Sequence, residues 1–495
     1  MYNKDISKRE LLLTVVLSLL FVFGMLGVTG VLTSGYHLID DHVLIRKIYS
    51  YRNSDSSFYE KVFAGFPWSE SRFLPMCTML RNLGYVVFED NFVFWQIFRG
   101  IEITIALCFS YCTARQFDVN KWMAVLFSGL IMIGEQSTSW CRLGPAEPLG
   151  VMFLMTAFFF LQKFELSCKK KWFTLGTFAA VFSSWSKEAF TLVLPFIPLL
   201  MIVYDLVYIN APCKITKEKI QKSIKKNWYL LISLWGVFFW NMYHILFKFG
   251  VDFGGYAGID ESLGIFGYIK RMGGMLLFRF SFYFWGLVVA GIICLVLLWQ
   301  KKKIRDFLYK HVLLLFLSII IILSQVFLHA KSGMFDRYFI PTTVAVALIA
   351  IVVVYDVLKE YPKALLSYEI VLSCILSSFI IFTLLPYANE YAEGGKNIKD
   401  CFLVVQELAD KDSIIIADID PECNLAVESY MECQMEYPYV FSVIEDEVVD
   451  LKNIYGIDKE VTDLNEADYI ISSEAQYEDY ELVVENNSIS LWKKK

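Results

Sequence analysis

The sequence predicts an α-helical polytopic membrane protein, with about eleven transmembrane helices and a small C-terminal extracytoplasmic α/β domain. Three observations carry that prediction. Apolar stretches of about 17 to 25 residues, each able as a helix to cross about 30 Å of hydrocarbon, recur along most of the chain. The 495 residues are 56% hydrophobic, 17% aromatic and only 19% charged, with a mean hydropathy of +0.49, a value rare among soluble domains. The formal charge of −6 is unevenly spread: residues 387–495 hold 26 Asp and Glu against 8 Lys and Arg, a balance of −18, which leaves +12 on residues 1–386.

The spans are expected near residues 11–33, 91–112, 122–134, 148–162, 172–186, 189–209, 228–249, 276–299, 311–329, 338–357 and 364–386, the third and fifth being short. The first has no small-residue cleavage site and is too long for a signal peptide, so it reads as a retained helix. Basic residues gather in alternate connections: Lys4, Lys8 and Arg9; Arg115 and Lys121; Lys163 and Lys169 to Lys171; Lys214 to Lys226; Lys301 to Arg305; Lys359 and Lys363. By the positive-inside rule these face the cytoplasm. An odd number of spans then puts the N-terminus inside and both the first loop, 34–90, and the acidic domain, 387–495, outside the cell membrane. The eleven cysteines are scattered and suit small buried hydrophobes better than a disulfide framework, although Cys423 and Cys433 in the tail could pair. The five histidines show no metal-ligand spacing.

The first external loop opens Ser34-Gly35-Tyr36-His37-Leu38-Ile39-Asp40-Asp41-His42. Two adjacent carboxylates are most often a solvated turn or a helix N-cap. Close to a bilayer, however, paired like charges cost energy unless something uses or compensates them. The rest of the loop alternates apolar Val43, Leu44, Ile48, Phe58, Val62 and Phe63 with polar Arg46, Lys47, Arg52 and Lys61 at helical intervals, which predicts helices lying on the membrane surface. Further external connections carry Glu135 to Pro148, Ser184 to Glu188, and His329 to Pro341, so that Arg142, Lys187 and Arg337 violate the basic-inside bias. Exceptions of that kind invite a functional explanation; the structural alternative is that Arg142 pairs with Glu147 and Lys187 with Glu188. The glycine- and aromatic-rich connection from Gly250 to Gly274 reads as a lid or a loose connection.

Beyond Tyr387 the composition becomes that of a soluble domain. A helix is expected near Ile398 to Ala409, a buried strand at Ser413 to Ala417, further strands at Tyr439 to Ile444 and Tyr469 to Ser472, and a hairpin from Tyr480 to Trp492 turning at Asn486-Asn487. With no Gly-rich phosphate loop or nucleophile motif, this domain is assigned to packing or acceptor guidance.

Outside a cell there is no ready supply of ATP or nucleotide sugars, so group transfer there draws on donors carried by lipids, polyprenyl-phosphate sugars above all. Such a transfer needs a carboxylate to take the proton of an acceptor hydroxyl, cations to hold the departing phosphate, and a groove for the lipid. Asp40 or Asp41 supplies the first, Arg142, Lys187 and Arg337 the second, with arginine suited to forked phosphate contacts. The aromatic-rich spans supply the third.

The Asp40-Asp41 pair after the first span, Ser71-Arg72-Phe73-Leu74-Pro75, Arg142-Leu143-Gly144-Pro145-Ala146-Glu147, Ser186-Lys187-Glu188 and Asp336-Arg337-Tyr338-Phe339-Ile340-Pro341 together resemble the glycosyltransferase C superfold, the multispanning lipid-linked sugar transferases. The resemblance covers roughly residues 1–390 and is closest to bacterial surface-polysaccharide and serotype-converting enzymes. It implies a hexosyltransferase acting by single displacement with inversion. Asp41 is then the expected base and Asp40 its support, while Arg72, Arg142, Glu147, Lys187, Glu188 and Arg337 bind lipid phosphate or sugar. The implied partners are a polyprenyl-phosphate-linked sugar donor, a glycan or lipid-linked acceptor and membrane lipids, with no nucleic acid. No cofactor is required; a divalent metal is compatible, with Glu89 or Asp90 able to complete a site, but is not indicated. Rival readings are a flippase or transporter of a lipid-linked saccharide, a polysaccharide polymerase, and a noncatalytic assembly protein. The chain shows no internal repeat of the kind many transporters carry.

Overall fold

The computed structural model describes all residues except 1–5, 39–40, 67–72, 135–138, 210–215, 249–251, 254–256, 259–263, 332–335, 445–446, 451–453, 456–462, 474–475 and 487–488; for His42, Arg279, Ser281, Asp336, Arg337 and the short strands at 252–258 it describes the backbone alone. Eight of the described helices are long and apolar enough to cross a membrane: Lys8–Val28, Phe92–Gln116, Glu147–Ser167, Lys217–Lys248, Phe282–Gln300, Ile304–Leu328, Ile340–Leu358 and Pro362–Leu408. Three shorter helices, Lys121–Met132, Lys170–Ser184 and Phe196–Tyr204, fall where the third, fifth and sixth spans are expected. Burial sorts them. The Ile340–Leu358 segment is 83% buried over its most apolar stretch and forms the centre of the bundle. Leu12, Leu13, Leu17 and Leu20 of the first helix are exposed, as a lipid-facing helix requires.

At the basic ends of the bundle, charge ties helices together. Lys226 bridges Glu165 at 2.5 Å and Asp205 at 3.0 Å, and Asp356 collects Lys310 at 2.6 Å, Lys359 at 2.5 Å and His311 at 2.8 Å.

At the opposite end the first helix stops at Gly30, whose φ of 78° is open to glycine at little cost. A short 3-10 turn, Val31–Thr33, and Gly35 at φ 82° then swing the chain into the loop helices Asp41–Arg52, Phe58–Val62 and Pro75–Val87. The sequence assigned the apolar stripe of the first of these to a lipid surface. Instead Leu44, Ile45 and Ile48 join a protein core with Phe402, Ala426, Val427 and Met431 of the C-terminal domain. An amphipathic period shows that a helix has an apolar neighbour; it does not say whether that neighbour is lipid or protein.

The C-terminal domain is a six-stranded sheet in the order Glu447–Val449, Val440–Ile444, Ile415–Asp418, Tyr469–Ser472, Ser490–Lys494, Tyr480–Glu485. The three central strands are parallel and the flanking pairings antiparallel. Ile415, Ile416 and Ala417 are fully buried, as a parallel strand covered on both faces demands. Helix Pro421–Cys433, capped by Asp420, whose carboxylate accepts from the amides of Glu422 and Cys423 at 3.0 Å, makes the crossover between two of them. Cys423 and Cys433 are free thiols, against the pairing the sequence allowed: they stand at the two ends of this one helix, about 15 Å apart at 1.5 Å per residue, beyond the reach of a disulfide.

Candidate active site

Asp41 is the first residue of its helix and is buried, at 2% exposure. Its Oδ2 accepts the backbone N–H of His37 at 3.1 Å, which fixes the carboxylate, and a negative charge in the first turn is favoured by the helix dipole. His37 is itself held on three sides. Its Nε2 lies 3.1 Å from the Ser34 hydroxyl, its ring stacks on Tyr391 at 3.6 Å and 4°, and Gly395 lies against it so closely that an added Cβ would sit 2.6 Å from Nε2. Burial, reinforced by the charge of Arg142, lowers this imidazole to about 3, so it is neutral at any physiological pH.

Asp41 also lines a cavity of about 130 Å³ together with Arg81, Tyr85, Trp95, Arg99 and Glu102. The two arginines organise the connection that follows. Arg99 donates to the carbonyls of Leu143 at 3.0 Å and Pro145 at 2.7 Å, Arg81 donates to the carbonyl between them, that of Gly144, and Glu102 holds Arg99 at 2.6 Å. Three consecutive carbonyls are therefore gripped by two guanidiniums, which fixes Arg142 on one side of the turn and Glu147 on the other. Arg142 donates to the hydroxyl of Tyr387 and lies over its ring at 5.5 Å.

A second polar group forms where three connections between helices meet. Lys187 contacts Glu147 at 3.4 Å, and its Nζ lies 5.2 Å from the centre of the Tyr338 ring, which stacks on His329 at 4.8 Å. Lys187 and Glu147 are both buried, the latter at 1% exposure, so each contributes charge compensation to the other. The buried partner of Lys187 is thus Glu147, a residue from another connection, and not only its sequence neighbour. Glu188 is buried and opens the short helix Glu188–Thr191. Asp40 and Arg72 lie outside the described residues, and of Arg337 only the backbone, in the turn Asp336–Phe339, is described. In the same motif as Arg72, Phe73 is fully buried and stacks on His244 at 5.7 Å. Glu89 and Asp90 meet Arg52 at 3.0 and 3.4 Å, and among the described residues no three His, Cys, Asp or Glu side chains gather as metal ligands.

The C-terminal domain roofs this site. Arg46, one turn beyond Asp41, reaches Ser429 at 2.7 Å, Glu432 at 3.3 Å and Glu428 at 3.8 Å, while the Tyr36 hydroxyl donates to the Ala426 carbonyl at 2.8 Å. Sequence reasoning did not single out His37, Arg81, Arg99, Glu102, Tyr387 or Tyr391. Arg99 and Glu102, an opposite-charge pair three residues apart inside an apolar span, carried a signal that could have found them.

Fold and site together define a multi-pass helical membrane protein with a buried acidic and cationic site at one end of its bundle, roofed by an α/β domain. Among solved structures the chain is similar to the crystal structure of ArnT from Cupriavidus metallidurans in the apo state, at 10% identity and a TM-score of 0.44 over 96% of this chain and 97% of that one. No family model and no curated protein matches the sequence.

Proposed function

We propose that the chain is a membrane glycosyltransferase that moves a sugar from a polyprenyl-phosphate donor to a hydroxyl of a cell-surface glycan or related acceptor on the extracytoplasmic face, inverting the anomeric centre. The observation that supports it best is Asp41: a buried carboxylate, pinned by the His37 amide, on the wall of a cavity shared with Arg81 and Arg99. In the proposed step the acceptor oxygen forms the new bond to the anomeric carbon while its proton passes to Asp41. The bond from that carbon to the phosphate oxygen breaks, and the electron pair leaves with the lipid phosphate. Arg142 and Lys187, with Arg72 and Arg337, bind the leaving phosphate; Glu147 is the counter-ion that positions Lys187, and Glu188 contacts the sugar. Asp40 supports Asp41. The residues 387–495 act as an extracytoplasmic domain that holds the catalytic loop in place.

The test is transfer from a defined glycosyl polyprenyl phosphate by purified protein in detergent. Asp41→Asn keeps the shape and the His37 contact but removes the base, and transfer should fall by at least a factor of about 100. Wild-type rates in both Asp41→Asn and Asp40→Asn would discard the proposed centre, and lipid translocation without transfer by the wild type would favour a flippase.

A further inference from the structure

Helices Lys8–Val28, Phe92–Gln116, Lys121–Met132 and Pro362–Phe379 enclose a lateral groove of about 850 Å³, near the upper end of ordinary ligand pockets at about 300–1,000 Å³. Its walls are apolar along most of their length, with Leu13, Leu17, Phe21, Val125, Leu376 and Ile380 lining it. Two of the hydroxyls within it are satisfied internally: Thr14 donates to the Glu10 carbonyl at 2.8 Å and Ser128 to the Leu107 carbonyl at 3.2 Å, so neither asks for a polar ligand.

Among the described residues that line it, the charged ones gather at one end. Arg9 and Lys121 are exposed there; Glu10 is occupied by Arg115 and the Tyr111 hydroxyl, both at 2.8 Å, and Glu369 accepts the Asn120 amide at 2.7 Å. Among the described residues that line the groove, two cations, Arg9 and Lys121, stand against one engaged carboxylate, Glu10, which leaves that mouth positive. Trp122, half exposed, stands beside Lys121 with its indole N–H on Ser373 at 3.1 Å, the placement of an aromatic side chain at headgroup depth.

We infer that this groove is a binding site for an anionic phospholipid, its acyl chains along the apolar walls and its phosphate on Arg9 and Lys121. The occupant is distinct from any sugar donor. The cationic mouth lies at the start of helix Lys8–Val28 and Asp41 beyond its end, and 21 helical residues span about 30 Å. A phosphate held at the mouth cannot serve a carboxylate at the other end. The basic-inside bias assigns this mouth to the cytoplasmic leaflet, where anionic lipids are attracted to Lys and Arg.

The purified full-length protein, delipidated and offered equal amounts of phosphatidylglycerol and phosphatidylcholine of identical chains, is examined by native mass spectrometry. The expected result is at least a fivefold preference for one phosphatidylglycerol, reduced to parity by Arg9→Ala/Lys121→Ala, and a loss of at least threefold in bound lipid when Val125→Trp narrows the groove. Sugar transfer by the Arg9→Ala/Lys121→Ala variant serves as the check that it is folded. Equal retention of both lipids, or retention that ignores all three substitutions, overturns the assignment. So does one-for-one displacement of the bound phospholipid by a polyprenyl phosphate, which would give the groove to the donor.

Discussion

Gly395→Ala probes how the Asp41 carboxylate is held. The glycine lies within a helix, so alanine gains about 0.8–1.0 kcal/mol in helix propensity. Against that, the new methyl would lie 2.6 Å from the His37 ring and 2.6 Å from the Ser34 carbonyl oxygen, where ordinary contact begins at 3.4 Å. One of those obstacles is backbone, and the other ring is stacked on Tyr391 and bonded to Ser34, so neither can rotate away. The His37 turn must therefore move by about 0.8 Å, at an overpacking cost of about 1–3 kcal/mol. The gain offsets part of the cost, and the net loss of stability should be at most about 2 kcal/mol. Catalysis has no such offset. The displaced turn carries the N–H that pins Asp41, and a misplacement approaching 1 Å is worth on the order of 100-fold in rate.

The expected outcome is a protein that purifies normally, melts within a few degrees of wild type, and transfers sugar roughly 10- to 100-fold more slowly, with the loss in kcat. Gly129→Ala is the matched control. There the new methyl meets only the Leu376 side chain, at 2.4 Å, and that chain faces the lateral groove and can turn aside. Gly129→Ala should transfer at close to the wild-type rate. If Gly395→Ala does so as well, the idea that the His37 turn sets Asp41 is refuted.

Four further substitutions separate structure from chemistry. Arg99→Met leaves the Leu143 and Pro145 carbonyls without their buried donor and takes from Glu102 its hydrogen-bonded cation, so it should cost about 3–5 kcal/mol in thermal or denaturant unfolding. Lys187→Met takes the Lys187 ammonium from Glu147 at 1% exposure and should be destabilising, whereas Lys187→Met/Glu147→Leu should regain most of that stability. Transfer should stay lost in the double variant if Lys187 binds phosphate, and its return there would remove Lys187 from the donor site. Glu432→Gln tests the roof: burial, only partly offset by Arg46 and increased by Glu428 and Asp450, pushes the Glu432 carboxyl up to about 8. The folded protein then keeps a proton that the unfolded chain has released, so wild-type stability should decline as pH rises from about 5 to about 8, with a slope of at most about 1.4 kcal/mol per pH unit. Melting curves of Glu432→Gln should be flatter over that window, and equal slopes would contradict the shift.

The parts of this architecture that declare themselves in the sequence are those in which one physical effect acts alone. The Tyr469–Ser472 strand matches its expected bounds because it is a short apolar, partly β-branched run between turn residues. Helix Pro421–Cys433 went unread because its buried face carries Asn424, Glu428 and Glu432, so the apolar period that would reveal it is interrupted by polar groups with partners elsewhere. The grip of Arg81 and Arg99 on residues 143–145 was equally hidden, since its acceptors are backbone carbonyls, which have no signature in the sequence. Arg142 and Lys187 were visible as exceptions to a charge rule, but their partners, Tyr387 and Glu147, are fixed by contacts between distant segments.

One face of helix Pro362–Leu408 explains how those distant segments are brought into register. Leu376, Ile380 and Leu384 line the lateral groove; Tyr387 holds Arg142; Tyr391 stacks on His37; Gly395 makes room for that ring; Ile398 and Phe402 enter the core shared by the first loop and the C-terminal domain. These positions are separated by four, four, three, four, four, three and four residues, the spacing of a single stripe on an α-helix, although the wider turn Ile380–Leu384 interrupts the regular winding. A stripe that continuous makes the helix a ruler from the membrane interior to the sheet. Arg142 and the Asp41 loop, far apart in sequence, are each set by adjacent turns of the same rod, and the domain at its far end clamps the Asp41 helix through Arg46. The C-terminal domain therefore needs no catalytic residue of its own to matter to the site, because the carboxylate's position is determined jointly by the rod beneath it and the roof above it.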